Sequence, residues 1–172
     1  MNSTRISLLF RGLRIICTIL ICLTFLNIPI KGQEKPPKPI SVTVSTLQHL
    51  NFGTIIPSGS SGGSVTVDNN GIRSSLGQII LPPVGTFCSP ALFEVTALRG
   101  TLITIVTSPA TLTGSAGGTL SLTPGTPSTG TPFVARGTTT DVYIGGTLAI
   151  GSLIANPAGY YSGTFTVTFI QN

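Results

Sequence analysis

The sequence has 172 residues and a formal net charge of +5, but four of its nine basic residues precede position 33. Residues 33–172 hold five basic and four acidic residues, which excludes the clustered Lys and Arg that track a nucleic-acid backbone. Charged residues are 8% of the chain, against about 25% in an ordinary soluble domain. The length fits one domain behind a processed leader, and 41% hydrophobic residues suffice for a core.

Residues 1–32 have the three-part layout of a secretory signal peptide, which we expect to be helical. Three basic residues open the segment: Arg5, Arg11 and Arg14. Residues 15–30 carry no charge, and the small Gly32 precedes Gln33, so we predict cleavage after Gly32. The alternative is a retained membrane anchor, but a spanning helix needs about 20 apolar residues. We therefore expect an exported chain, periplasmic, on the outer cell surface or extracellular, with membrane contact only through the leader before cleavage.

Residues 33–39 form a stiff, solvated spacer with three prolines and two lysines. Beyond it, apolar and polar residues alternate with a period of two, which is the signal of half-buried strands. The alternating runs cover residues 40–44, 64–67, 93–97, 103–105, 119–123, 142–144 and 161–169. No helical period appears after residue 33.

Gly, Pro and Asn separate these runs at short intervals, and Asn70-Gly71 marks the best candidate for a two-residue hairpin turn. Gly145-Gly146 interrupts an apolar run, which predicts a bend where the strand changes partners. Short strands at this spacing predict an all-β fold, an antiparallel two-sheet β-sandwich of immunoglobulin-like or pilin-like type, over residues 40–172.

The inventory of reactive side chains is small. His49 is the only histidine, no Gly-x-Ser-x-Gly motif is present, and we interpret His49 as structural. The acids are Glu34, Asp68, Glu94 and Asp141, and nothing in the sequence brings Glu94 and Asp141 together as a catalytic pair. The sequence thus predicts no catalytic, metal-binding or cofactor-binding residue, no cofactor, and no enzymatic activity.

Two further side chains stand out. Cys88 is the only cysteine after the leader, so no intramolecular disulfide is available, and a buried, unreactive thiol is expected. The chain has no tryptophan and three tyrosines. Tyr160 is the best candidate for a ligand contact, although an exposed tyrosine of this kind is more often a partly covered residue at the edge of a sheet.

Several blocks together resemble a known family. They include Leu-Asn-Phe-Gly-Thr-Ile at 50–55, Val-Tyr-Ile-Gly-Gly-Thr-Leu at 142–148 and Ala-Gly-Tyr-Tyr-Ser-Gly-Thr-Phe at 158–165. The chain resembles the bacterial domain of unknown function 4402 family and is more distantly similar to secreted fimbrial subunits of the spore coat protein U type. The resemblance implies an exported bacterial β-sandwich without an assigned activity, and it supplies no catalytic residue.

These observations favour a structural or adhesive, pilin-like surface subunit; the alternative is a secreted module that binds a carbohydrate or another ligand. The expected partners are other surface subunits or a glycan. In pilin-like assembly the N-terminal extension of one subunit completes the sheet of the next. Residues 33–39 cannot pair in this way because three prolines lack an N–H group. We therefore expect residues 40–47 to pair within their own chain, and a monomer rather than a donor-strand polymer.

Overall fold

The computed structural model describes residues 41–44, 48–83 and 87–172, which form strands, turns and loops without a helix. These residues belong to one compact unit, Lys38–Asn172. The predicted signal peptide, its cleavage site and the spacer lie outside the described residues. Within the described ranges, no helix is long and apolar enough to cross a membrane.

The described residues form strands that alternate in burial as the sequence predicts. In one central strand Ala91, Phe93 and Val95 are buried while Glu94 and Thr96 are exposed. The strands are β1 (Ser41–Val44), β2 (Ile56–Pro57), β3 (Gly63–Val67), β4 (Arg73–Gly77), β5 (Ile79–Ile80), β6 (Ala91–Thr96), β7 (Leu102–Thr107), β8 (Ala110–Gly114), β9 (Thr119–Pro124), β10 (Phe133–Val134), β11 (Thr139–Ile144), β12 (Gly146–Ile150), β13 (Tyr161–Ser162) and β14 (Val167–Gln171).

Every strand pair in the described residues is antiparallel, and the fold is the predicted all-β sandwich. One sheet has six strands in the order β13-β8-β9-β12-β3-β4. Two sheets have three strands each, β1-β6-β11 and β10-β7-β14, and β2 pairs with β5. The pairing of β1 with β6 confirms that Ser41–Val44, part of the predicted run 40–47, joins its own chain. The rest of that run, residue 40 and residues 45–47, lies outside the described residues.

The buried apolar side chains form two clusters, which we call the first and the second core. The first core comprises Ala91, Phe93, Val95, Ile103, Ile105, Phe133, Ala135, Val142 and Ile144, from the two three-stranded sheets and the residue after β10. The second core comprises Phe52, Val65, Val67, Ile79, Leu120, Leu122, Leu148 and Ile150. Leu50 and Phe165 pack against both cores, so they lie at the junction between them.

Gly145 is the point at which the chain passes from one sheet to another, as the sequence predicts. The strand before it, β11, pairs with β6, whereas β12 pairs with β3 and β9 in the six-stranded sheet. A Cβ atom on Gly145 would lie 2.0 Å from the Val67 carbonyl oxygen. Only glycine therefore allows the two backbones to approach this closely.

The hairpin between β3 and β4 forms where the sequence places it, but its turn differs from the expected one. Gly71 has a φ of 78°, whereas none of the described non-glycine residues has a positive φ. A two-residue turn of the expected kind needs positive φ at both central residues. Instead the Gly71 N–H donates to the Asp68 carbonyl, and the Asp68 N–H donates to the Ile72 carbonyl. The Asp68 carboxylate accepts from the backbone N–H groups of Asn70 and Ile72, so its role is structural.

Candidate functional site

An open apolar cavity of about 300 Å³ lies at the junction of the two cores. We call it the edge cleft. Its walls are the segment 48–50, which follows β1, and the segment 163–165, which joins β13 to β14. Its other lining residues are Phe52, Ala91, Phe93, Leu112 and Leu122. The lining contains no acidic residue, lysine or arginine, so the cleft suits an uncharged, apolar occupant.

Both walls of the edge cleft carry unpaired backbone groups. Within the described residues, no hydrogen bond engages the N–H or C=O of Leu50, or those of Gly163, Thr164 and Phe165. The rest of the first wall is paired, because the Gln48 carbonyl accepts from the Leu92 N–H of β6 and the His49 carbonyl accepts from the Ser89 hydroxyl.

The position of the second wall depends on Gly163. A Cβ atom there would lie 2.6 Å from the Thr111 carbonyl oxygen and 3.2 Å from the Leu112 Cα. The glycine thus allows the last segment to approach the β8 backbone closely. The three atoms nearest to this Cβ position all belong to the backbone of Thr111 and Leu112.

The apolar side chains of the last segment are only half-buried: Tyr161, Phe165, Val167 and Phe169. Phe169 packs against Phe93 of the first core, with ring centroids 5.7 Å apart and ring planes tilted by 54° to each other. β14 pairs with β7 alone and β13 with β8 alone among the described strands. The last segment therefore covers both cores while leaving one of its own edges open.

A second feature is a cluster of exposed apolar side chains on the solvent side of the sheet β10-β7-β14. We call it the outer apolar face, and its members are Leu102, Val106, Val134 and Ile170, each 38–51% exposed. The register places Val134 opposite Leu102, and Ile170 opposite Thr104 between Leu102 and Val106. These three strands contain no charged residue.

The loop of residues 151–160 presents Tyr160, whose side chain is 89% exposed. Ser115 holds this residue by accepting from the Tyr160 N–H through its hydroxyl and by donating its own N–H to the Tyr160 carbonyl. Asn156 is buried and supports the loop, accepting from the Gly151 N–H and donating to the Thr119 and Ala155 carbonyls. The structure thus places the sequence-predicted Tyr160 on a hydrogen-bonded loop, outside the edge cleft.

Two of the acidic residues lie opposite each other in the sheet, a pairing that the sequence alone did not indicate. Asp141 and Glu94 are direct partners on the adjacent strands β11 and β6, so the fold does bring them together. Both are exposed on the solvent side of the sheet, and neither lines the edge cleft. Like charges placed opposite each other on a sheet are destabilising. A glycosidase needs its two carboxyl groups on either side of a bound sugar, and this open sheet face provides no such enclosure.

The remaining candidates contribute no reactive arrangement. His49 is exposed at the edge cleft rather than buried in the core, and no described residue hydrogen-bonds its imidazole. Cys88 is a free thiol, half-buried against the second core, and its Sγ donates weakly to the Gly71 carbonyl at 3.4 Å. Among the described residues, no three His, Cys, Asp or Glu side chains are close enough to hold a metal ion.

The sequence did not predict the edge cleft. Its lining comes from segments that are far apart in the chain, and each lining side chain alone is an ordinary core residue. The one local signal was Gly163 within an alternating strand, since such a glycine often marks a close backbone approach.

A family model described as Domain of unknown function (DUF4402) matches residues 42–170. No curated protein and no solved structure matches the chain. The family match covers nearly all of the described residues. The more distant similarity to the spore coat protein U type stays a prediction.

Proposed function

We propose that this chain, which belongs to the domain of unknown function 4402 family, is an exported, non-catalytic structural or adhesive subunit of the cell surface, similar to a pilin. The outer apolar face carries this proposal. Leu102, Val106, Val134 and Ile170 form one uncharged patch on strands that are otherwise well packed. Contiguous exposed apolar patches of this kind typically mark protein–protein contacts.

The patch has the properties of a subunit contact rather than of a substrate site. It is a sheet surface, not a cavity, and its polar members are threonines, Thr104 and Thr168, which lie beside the apolar side chains. Burial of apolar surface stabilises a contact of this composition, and such a contact needs few hydrogen bonds. We therefore expect it to be covered by another surface subunit.

Replacing Val106 and Ile170 together by threonine should release the chain from the cell surface without unfolding it. Both side chains point to solvent, and threonine keeps the β-branched shape that suits a strand. Cell fractionation with intact-mass analysis measures both the location of the chain and the predicted removal of residues 1–32.

The matched control is Leu76→Thr, because Leu76 is 76% exposed on β4, outside the sheet that carries the patch. We expect the control to be retained on the surface like the unmodified chain. Equal retention of the double variant and the control, with unchanged melting temperatures, would argue against the outer apolar face as the contact. If the unmodified chain were found only in the cytoplasm, the proposal would be refuted.

A second candidate function is binding of a carbohydrate, and the exposure of Tyr160 favours it. An aromatic ring displayed on a held loop can stack against the apolar face of a sugar. Residues 142–172 contain no charged side chain, which fits a neutral sugar. On a glycan array, binding by the unmodified chain should disappear in Tyr160→Ala and persist in Tyr143→Phe. A chain that binds no glycan, or one whose binding survives Tyr160→Ala, would exclude this candidate.

A further inference from the structure

We infer that the loop of residues 151–160, which we call the apolar loop, binds a lipid bilayer by entering its interfacial layer. The inference rests on the proposed function only in taking the chain to be exported, and it concerns a contact separate from the outer apolar face. It departs from the expectation that the leader alone contacts a membrane, because the sequence did not show which side chains of this loop face solvent.

The apolar loop turns its polar side chains inward and its large apolar side chains outward. Besides Tyr160 its polar residues are Ser152 and Asn156. Asn156 is buried, and the Ser152 hydroxyl accepts from the Ala155 N–H. Single exposed apolar side chains are ordinary on a protein surface, but here the large exposed side chains of one loop are two aliphatic groups and a ring. They are Leu153, Ile154 and Tyr160, which are 51%, 94% and 89% exposed.

The neighbouring turn of residues 115–118 holds both halves of the apolar loop. Ser115 exchanges two hydrogen bonds with the backbone of Tyr160. Gly118 lies so close to the other half that a side chain on it would collide with the Ala155 carbonyl oxygen. The exposed side chains are therefore presented by a loop that is already ordered, which lowers the entropy cost of binding.

The composition of the loop selects a bilayer as its partner. No charged side chain occurs in residues 115–118 or 142–172, so no charge loses its water when the loop approaches lipid. Tyrosine is enriched at membrane–water interfaces, where its ring lies among the lipids and its hydroxyl stays in contact with water. A sugar site instead needs well-placed polar groups to fix its ligand, and the exposed neighbours of Tyr160 on this loop are aliphatic.

The backbone of the apolar loop limits the depth of entry. Within the part of the chain that the structure describes, no hydrogen bond engages the N–H groups of Leu153 and Ile154. Such groups need water or lipid headgroups as partners, because hydrocarbon provides none. The loop therefore lies at the boundary of headgroups and acyl chains, as interfacial helices do, about 5–10 Å deep.

A tryptophan reporter tests the inference, since the chain contains no tryptophan. Tyr160→Trp keeps an aromatic side chain that prefers the interface. The probe is vesicles of phosphatidylcholine, which have no net charge. We expect a saturable blue shift of the emission of the exported chain, and stronger quenching by bromine atoms near the headgroups than by bromine atoms at the ends of the acyl chains. The control reporter Ser74→Trp, exposed on β4, should not respond.

A second pair of variants separates the apolar loop from general adsorption. In the Tyr160→Trp chain, Leu153→Ser combined with Ile154→Ser should weaken vesicle binding at least about tenfold. The melting temperature should not change, because both side chains are exposed. The matched control Leu76→Ser removes a similarly exposed aliphatic side chain from β4 and should leave binding unchanged. Equal binding of the double variant and this control, or a response of Ser74→Trp, would overturn the inference.

Other partners predict different results, and each would also overturn the inference. A blue shift seen only with anionic vesicles and abolished by salt would place the contact at basic residues instead. Glycan binding that is lost in Tyr160→Ala but kept in the double serine variant, without any response to vesicles, would assign the loop to a sugar. Concentration-dependent dimers without vesicle binding would assign it to a second copy of the chain. Surface retention in the fractionation experiment would still stand, because it depends on the outer apolar face.

Discussion

Removing residues 160–172 should leave a chain that no longer folds cooperatively. This deletion takes away β13 and β14 and exposes parts of both cores, because Phe165 packs against the first and the second. A fully buried large apolar side chain contributes about 1.5–3 kcal/mol. Tyr161, Phe165, Val167 and Phe169 are half-buried, so each contributes roughly half of that amount, and the four together contribute about 3–6 kcal/mol. The whole stability of an ordinary domain is about 5–15 kcal/mol.

The same segment can be tested by one side chain. Phe169→Ala removes the ring that lies 5.7 Å from Phe93. We expect the free energy of unfolding to fall by about 1.5–2.5 kcal/mol, half the cost at a fully buried site, because the ring is half-buried. Thr168→Ala is the matched control, because Thr168 is the exposed neighbour on the same strand. Denaturant unfolding measures both variants. A truncated chain that melts cooperatively, or a Phe169→Ala variant as stable as Thr168→Ala, would contradict the assigned role of the last segment.

The sequence predicted those parts of the fold that depend on local pattern. Alternation of apolar and polar residues identified β6, and a glycine pair within an apolar run identified the passage between sheets at Gly145. The first follows from the two-residue period of a strand and the second from the steric freedom of glycine. Both properties can be identified from residues that are neighbours in the sequence. The turn at Gly71 was placed correctly but assigned the wrong geometry, because the Asp68 carboxylate stabilises a longer turn.

Partners that are distant in sequence could not be predicted. The pairing of Asp141 with Glu94 depends on the register between β11 and β6, which the alternation alone leaves open. Nothing in the sequence marks Arg73 as a structural residue, yet its guanidinium donates to the Phe52, Thr54 and Pro82 carbonyls and ties these loops to β4. The edge cleft could not be predicted for the same reason. It lies between the segment after β1 and the last segment, which are distant in the sequence.

Gly145→Ala should destabilise the fold strongly, because glycine is required where β11 passes into β12. The added methyl group would lie 2.0 Å from the Val67 carbonyl oxygen and 2.8 Å from the Asp68 carbonyl carbon. These are backbone atoms, so the strands must separate to relieve the clash. Separation would strain the ladder between β12 and β3 and the hydrogen bond from the Gly125 N–H to the Gly145 carbonyl at 2.9 Å. Overpacking of this kind costs about 1–3 kcal/mol and sometimes more.

Gly137→Ala is the control that separates the clash from the general effect of replacing a glycine. A Cβ atom on Gly137 would find its nearest neighbour, the Thr139 carbonyl oxygen, at 3.6 Å, and neither Gly137 nor Gly145 has a positive φ. The control should be neutral or more stable by about 0.4–1 kcal/mol, because alanine restricts the unfolded chain. Equal urea midpoints for the two variants would show that the strands separate at little cost and that the passage between sheets tolerates a side chain. A lower midpoint for Gly145→Ala alone would show that the close contact between Gly145 and β3 excludes a side chain at this position. The effect of alanine on the unfolded chain cannot explain that difference, because it is common to both variants.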